Sequence, residues 1–318
     1  MLLDTASLYF RAYYGVPDSL RAPDGTPVNA VRGLLDFISR LVADHAPTHL
    51  VACMDADWRP QWRVDLVPSY KAHRVAEESA AAGGSEEEVP DTLSPQVPVI
   101  EQVLDALGIA RAGVPDYEAD DVIAAYAAHP ARAGAGADAA VDVVTGDRDL
   151  FQLVDDARAV RVLYPVRGVG TLQLTDEAVL KEKYGVPDGP GYADLALLRG
   201  DPSDGLPGVP GVGEKTALKL LDAHGGTVAG VLAAVDEPGS GLTKTQRAKL
   251  DAARDYLARA ERVVKTASDA PVPALDAALP HAAAHPQELA ALATRWGLGG
   301  SLDRLLTTLA HPRADSAG

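Results

Sequence analysis

The chain has 318 residues, 47% of them hydrophobic, and a formal net charge of −16. This length supplies enough apolar material for a buried core and more than one structural unit. The single cysteine, Cys53, excludes an intrachain disulfide and a zinc site built from cysteines. No apolar run approaches the ~18 residues that span a bilayer, and the chain does not begin with an export signal. We therefore expect a cytoplasmic protein that does not associate with membranes.

The first strongly predicted elements are three short apolar runs, each of which ends in an aspartate. Those aspartates are Asp4, Asp55 and Asp147. Such runs are typical of strands buried on both faces, and the stretches 29–45 and 94–108 between them have helical spacing. Alternating strands and helices predict an α/β fold with a mostly parallel sheet and flanking helices. Ligands bind beyond the carboxyl ends of such strands, so we expect the three aspartates to converge on a site there.

The pattern breaks over residues 63–94, where glycines and prolines surround a segment rich in Ala and Glu. We expect a mobile excursion there that is helical at its start. From about residue 176 the spacing is mostly helical, over residues 177–184, 192–199, 215–223, 243–264 and 286–309. The sequence thus predicts a sheet unit over 1–175, a helical unit over 176–310 and a flexible polar tail over 311–318.

Acidic residues also open the helical pattern that starts near residue 118. Glu118, Asp120 and Asp121 lie within four positions. Acids in a first helical turn complement the helix dipole, and this explanation remains open for the segment alone. However, Glu118 and Asp121 share a helix face, where they repel each other unless a cation lies between them.

Two further acidic pairs strengthen the case for a cation site. Asp149 follows Asp147 by two positions, so an extended backbone points both side chains the same way. Asp201 and Asp204 form a pair that is also typical of an ordinary turn. The candidate metal ligands are therefore Asp4, Asp55, Glu118, Asp120, Asp121, Asp147, Asp149, Asp201 and Asp204.

An all-oxygen ligand set favours Mg²⁺ or Mn²⁺ over zinc. Such a cage holds two ions about 4 Å apart, which activate a water and neutralise an attacked phosphate. This chemistry is phosphodiester hydrolysis. The charge of −16 opposes a nucleic-acid partner, which normally needs a cationic surface, unless metal ions neutralise many of the acids.

A glycine-rich turn precedes a predicted helix start and contains Gly208, Gly211 and Gly213, followed by Lys215 and Thr216. An acidic residue separates Gly213 from Lys215, so the turn is not a Walker A loop, and the dinucleotide fingerprint lacks its third glycine. Two interpretations remain, namely a helix-hairpin-helix that binds a DNA backbone and a plain helix-helix turn. The candidate DNA-binding residues are these three glycines with Lys215 and Thr216.

Lys71 and Arg74 lie about one helical turn apart at the start of the excursion. A solvated basic face is one explanation. The other is that both cations hold the scissile phosphate above the carboxylates and stabilise the transition state. Arg11, on the segment after Asp4, is a further candidate for the same catalytic task.

The ordered set of motifs resembles the bacterial 5′-3′ exonuclease family, which occurs free-standing or as the amino-terminal domain of DNA polymerase I. The resemblance covers residues 2–309, and this chain looks like the free-standing form. The motifs that carry it are Leu3-Asp4 with Arg11, Met54-Asp55, Trp62-Arg63, residues 70–74, 117–121 and 145–150, and residues 199–204 running into 208–216. Two positions depart from the family pattern: Thr5 replaces a usual glycine and Gly205 a usual asparagine.

The resemblance implies a PIN-like nuclease core, a helical arch at about residues 63–94 and a C-terminal helix-three-turn-helix domain with a potassium ion in its hairpin. We expect a monomeric 5′ nuclease that cuts DNA with a 5′ single-stranded flap, or a 5′ end next to duplex, during replication and repair. A PIN-type ribonuclease acting on single-stranded RNA is one alternative. A structure-specific DNA-binding protein that does not cleave is the other.

Overall fold

Six strands form one sheet in the computed structural model, which describes residues 1–75, 87–167 and 170–311. The strands are β1 (Leu2–Asp4), β2 (Val51–Cys53), β3 (Ala110–Ala112), β4 (Val141–Val144), β5 (Val160–Pro165) and β6 (Leu172–Thr175). Their order across the sheet is β3-β2-β1-β4-β5-β6. All neighbours pair in parallel except β6, which runs antiparallel to β5. This topology confirms the predicted α/β fold with a mostly parallel sheet.

The sheet is covered on both faces because side chains alternate along each strand. Leu2 and Val51 enter one hydrophobic core, whereas the adjacent Leu3 and Ala52 enter the other. Both cores are buried, which explains why the strands read as continuous apolar runs. Cys53 lies in the first core and is inaccessible to solvent, as expected for a small buried hydrophobe.

In the described residues, five helices are interleaved with the first four strands. They are α1 (Thr5–Gly15), α2 (Asn29–His45), α3 (Gln61–Leu66), α4 (Val97–Leu107) and α5 (Ala119–Ala128). α1 follows β1 without a loop, because the Asp4 side chain accepts the Ser7 backbone N–H at 3.0 Å and caps the helix. Asp4, the last residue of β1, is thereby fixed at the carboxyl edge of the sheet.

The chain after β6 is mostly helical. Its helices are α6 (Glu177–Tyr184), α7 (Gly189–Arg199), α8 (Glu214–Ala223), α9 (Val228–Asp236), α10 (Lys244–Ala252), α11 (Arg254–Val264), α12 (Pro286–Trp296) and α13 (Gly299–Ala310). α7 to α11 extend the first core, whereas α12 and α13 place their leucines in the second core with α2 and α4. The helices after residue 176 therefore contribute to both cores, and the division of the chain at that point stays a prediction.

The described part of the predicted arch begins with α3 and a short 3₁₀ turn, Ala72–Arg74. The Glu88 backbone N–H donates to the Arg74 carbonyl at 2.9 Å, so the two ends of the excursion meet. Residues 76–86 of the predicted arch and 312–318 of the predicted tail lie outside the described residues.

Within residues 1–75, 87–167 and 170–311, no single helix is both long and apolar enough to cross a membrane. In that described part of the chain, α8 and α9 taken together pass the test of length and composition, and a bend of 73° lies between them.

Candidate active site

The carboxyl edge of the sheet holds a cavity of about 230 Å³ lined by acidic side chains. Asp4 pairs in register with Cys53, and Leu3 pairs with Val144, so the three central strands end level with one another. The acidic residues in the lining include Asp4, Asp55, Glu118, Asp120 and Asp147. The convergence that the sequence predicts for the strand-end aspartates is therefore present.

Asp4 and Asp147 are linked through the hydroxyl group of Thr145. Thr145 donates to the Asp4 carboxylate at 2.6 Å and accepts the Asp147 backbone N–H at 2.8 Å. Burial raises the pKa of Asp4 to about 7, and the carboxylates of Asp55 and Asp147 add to the rise. A proton or a nearby cation is thus needed to stabilise this group at neutral pH.

A second, smaller cavity of about 20 Å³ adjoins the first, because both include Glu118 and Asp120 in their linings. Its other acidic residues are Asp149, Asp201 and Asp204. Burial and the nearby Asp147 carboxylate raise the pKa of Asp149 well above its ordinary value. Burial and the nearby Asp4 carboxylate do the same for the pKa of Asp120. Eight of the nine predicted acids therefore line two neighbouring cavities and repel one another.

Asp121 is the exception among the predicted ligands. It is 0% exposed, and its two oxygens accept from the Arg63 guanidinium at 2.7 Å each. One of those oxygens also accepts the Ala267 backbone N–H at 2.7 Å. A carboxylate already held by a bidentate arginine has little capacity left for a cation. Asp121 therefore neutralises Arg63 in this structure, and its place in the predicted ligand set stays a prediction.

Glu118 is 4% exposed and is surrounded by donors. The Tyr70 hydroxyl donates to it at 2.7 Å, Arg63 donates at 3.2 Å, and the Lys71 ammonium group forms a very short ion pair with it. Burial alone would lower the pKa of Lys71, but the Glu118 carboxylate holds that pKa well above its ordinary value. Lys71 is thus a charged, buried partner of the acidic site and not part of a solvated face.

Arg74 reaches the acidic site from the same turn as Lys71. Its guanidinium donates to the Asp204 carboxylate and to the Ser203 carbonyl, both at 2.8 Å. Arg11 approaches from another segment, α1, because it donates to the Gly146 carbonyl at 3.2 Å, next to Asp147. The structure therefore brings all three predicted catalytic cations to the edge of the carboxylate cluster.

The chemistry of the donor set suits hard divalent cations, because the two cavities are rich in carboxylate oxygens. As they stand, no three His, Cys, Asp or Glu side chains in the described parts of the chain are close enough together to hold an ion. Lys71 and Arg74 instead neutralise two of the acids through ion pairs. Ion binding would require these pairs to open.

The glycine-rich turn lies between α7 and α8 and begins with close backbone packing. A Cβ atom on Gly208, whose φ is 62°, would lie 2.3 Å from the Gly200 nitrogen. The Tyr256 hydroxyl accepts the Gly208 N–H at 3.1 Å. Gly211 has a φ of 72°, whereas Gly213 precedes α8 and has open space around it.

The end of the same turn faces solvent. Lys215 is exposed and Thr216 is half-buried in the first turn of α8. An exposed helix start that follows an unobstructed glycine leaves backbone N–H groups accessible to a phosphate.

Arg63 and Thr145 lie in motifs that carry the family resemblance, but no role in the site is predicted for either of them from the sequence. Arg63 is 3% exposed, and its role depends on partners more than fifty positions away in the sequence. The signal in the sequence is its place in the Trp62-Arg63 motif, which does not show what its partners are. Thr145 stands just before Asp147, where a hydroxyl at a strand end is a recognisable hydrogen-bond donor.

The fold and this site define an α/β protein with a strongly anionic cleft at the carboxyl edge of a parallel sheet and a glycine-rich hairpin in its helical half. The model for the 5′-3′ exonuclease N-terminal resolvase-like domain matches residues 1–185, and that for the 5′-3′ exonuclease C-terminal SAM fold matches residues 189–288. The chain belongs to the 5′-3′ exonuclease family, as its motifs indicated.

Named relatives agree with this assignment. A 5′-3′ exonuclease of Streptomyces coelicolor is 72% identical over 309 residues, which cover 97% of this chain and 99% of that protein. A DNA polymerase I of Mycobacterium bovis is 44% identical over 227 residues, which cover 71% of this chain and 23% of the polymerase. Because the family match includes both the sheet and the helical hairpin region, it favours the exonuclease interpretation over the small ribonuclease.

The fold also resembles that of a solved flap endonuclease from a bacteriophage, determined as a pseudo-enzyme-product complex with DNA and metal ions. The TM-score is 0.62 at 18% identity, and the alignment covers 98% of this chain and 97% of that protein. This similarity supports the shared fold.

Proposed function

We propose that this protein is a divalent-metal-dependent 5′ nuclease that hydrolyses DNA phosphodiesters at 5′ flaps or at 5′ ends next to duplex, in replication and repair. The observation that carries the proposal is the convergence of eight carboxylates on two adjoining cavities at the carboxyl edge of the sheet. Family membership supplies the reaction class.

The residues proposed to hold Mg²⁺ or Mn²⁺ are Asp4, Asp55, Glu118, Asp120, Asp147, Asp149, Asp201 and Asp204. Two such ions would neutralise charge on the attacked phosphate and lower the pKa of a water molecule. The raised pKa values of Asp4, Asp120 and Asp149 support this assignment, because burial and, after it, the neighbouring carboxylates disfavour the anions, and a bound cation would offset both.

Lys71 and Arg74 have two tasks in this proposal. Without substrate they neutralise Glu118 and Asp204. With cations on the carboxylates, both side chains would be available to hold the non-bridging oxygens of the scissile phosphate. Arg11, next to Asp147, would hold a phosphate oxygen from the α1 side of the cleft. The basic side chains thus position the DNA over a site that would otherwise repel it.

The hairpin is proposed to hold the duplex part of the substrate. A Cβ atom added at Gly213 would meet no other atom within 4 Å, so a phosphate can approach the N–H groups at the start of α8. Lys215 and Thr216 follow directly and would contact the same backbone. A potassium ion in the hairpin, which the family resemblance implies, would add charge complementarity.

Asp147→Asn and Asp201→Asn test the proposal against its non-cleaving alternative. Each variant should lose cleavage of flap DNA while it keeps the fold, because removal of one acid relieves repulsion in the metal-free cluster. Asp44→Asn, which removes one partner of an exposed ion pair at the end of α2, is the matched control and should cut at the wild-type rate. Wild-type turnover in either site variant would refute the ligand assignment.

A further inference from the structure

A third pocket, of about 420 Å³, lies between the sheet half and the helical half of the chain. Trp62 and Tyr117 line it from the sheet half, and Arg262 and Lys265 line it from α11 and the residue that caps it. It borders the carboxylate site, because Trp62 and Tyr117 directly precede two residues of the Arg63 and Glu118 network. Pockets between structural units are common ligand sites.

Two aromatic side chains form a rigid wall of this pocket. The Trp62 and Tyr117 ring centroids are 6.5 Å apart, and the rings are tilted by 54°. The Trp62 indole N–H donates to the Asp116 carbonyl at 3.0 Å. Asp116 has a φ of 66°, which lies in the left-handed region that aspartate tolerates and that places its carbonyl group towards the Trp62 indole. The wall is therefore held in place before any ligand arrives.

The cation available in this pocket is Arg262. Its guanidinium lies 5.9 Å from the Trp62 ring centroid, the side chain is exposed, and no carboxylate in the described parts of the chain pairs with it. Lys265 is already paired with Glu261 at 2.7 Å. The remaining acid, Asp269, is exposed, so solvent and salt screen its charge.

We propose that this pocket binds one nucleotide of a single-stranded DNA segment, with the base against Trp62 and Tyr117 and the phosphate against Arg262. Aromatic faces accept any base by stacking, and an unpaired arginine suits a phosphate. The choice of DNA as the ligand rests on the proposed function. The pocket would give the enzyme a contact with unpaired DNA outside the carboxylate cluster.

Tryptophan fluorescence during titration with a short oligothymidylate, in the presence of EDTA, tests the proposal. The wild type should show a saturable quench, and Trp62→Phe, which keeps a ring over Arg63, should lose most of it. Arg262→Ala should bind about tenfold more weakly, the loss expected for one charged contact. Arg259→Ala, on the same helix with bonds to the Asp255 and Leu66 carbonyls, is the matched control and should bind as the wild type does.

A full quench in Trp62→Phe, or equal affinities for Arg262→Ala and Arg259→Ala, would overturn the proposal. A parallel titration with thymidine monophosphate shows whether the pocket binds a nucleotide within a strand or a free mononucleotide. Much weaker quenching by the mononucleotide is expected for a strand-binding site, and equal affinity would refute the assignment to a strand. No cleavage is measured, so a negative result here leaves the nuclease proposal standing, whereas failure of the nuclease proposal appears only in the cleavage assays.

Discussion

Removal of the Asp121 charge should destabilise the protein, whereas removal of a cavity carboxylate should stabilise it. Asp121 is fully buried and holds the Arg63 guanidinium through two bonds of 2.7 Å. Breaking a buried pair by removing one partner costs about 3–5 kcal/mol, because the remaining charge stays buried. We therefore expect Asp121→Asn to lower the free energy of unfolding by that amount. Asp149→Asn should raise it in the metal-free protein, since the substitution removes the cost of burying this carboxylate and its repulsion by Asp147.

Urea unfolding of the metal-free protein at neutral pH, followed by tryptophan fluorescence, measures both effects. The control is Asp36→Asn, whose bridge to Arg304 is 2.7 Å long but exposed, so it should cost no more than about 1 kcal/mol. If Asp121→Asn matched this control, the assignment of Asp121 as a structural partner would be wrong. If Asp149→Asn lowered the free energy of unfolding, the inference that the clustered carboxylates destabilise the metal-free protein would be wrong.

Four further outcomes are expected. Lys71→Ala should reduce cleavage more than duplex affinity, measured side by side with exposed Lys219→Ala as the control; equal losses would make Lys71 a plain binding residue. Gly208→Ala should lower the free energy of unfolding by more than about 1 kcal/mol, because the new methyl group meets the Gly200 backbone. A methyl group at position 213 meets no other atom within 4 Å, so Gly213→Ala should keep the fold but weaken duplex binding. An unchanged affinity for duplex DNA would contradict the proposed phosphate contact. The folded pKa of Asp4, about 7, exceeds its ordinary 3.8, so stability of the metal-free protein should fall as pH rises from about 4 to about 7; a flat or rising profile would contradict this.

The strongest sequence predictions concern elements whose pattern is local. The stretch 29–45 matches α2, and 177–184 matches α6, because their apolar spacing continues without interruption. Two predicted helices are each divided in the structure. The first breaks at Ala253, between α10 and α11. The second breaks at Gly297, which caps α12 in a left-handed conformation. Apolar spacing that resumes after one or two residues hides such breaks.

The missed strands lie towards the edges of the sheet. β3 is three residues long and contains Arg111, and β5 contains Arg161, which pairs with Asp142 on the neighbouring strand. Charged side chains at these positions interrupt the apolar run that identifies a buried strand. Only the central strands, which are buried on both faces, carry the full signal.

The site was predictable as far as topology controls it. Acids that follow strand ends must meet at the carboxyl edge of a parallel sheet, and Asp4, Asp55 and Asp147 do so. Side-chain partners from distant segments were not predictable. The spacing of Glu118 and Asp121 indicates a shared helix face, but it cannot show that Arg63 neutralises that face.

Cleavage of 5′-end-labelled flap DNA, with EDTA, with Mg²⁺ and with Mn²⁺, tests the central claim most directly. The account predicts release of the labelled flap near its junction with the duplex when either divalent ion is present, and no product with EDTA. Cleavage that persists in EDTA, or DNA binding without product in both metals, would contradict it.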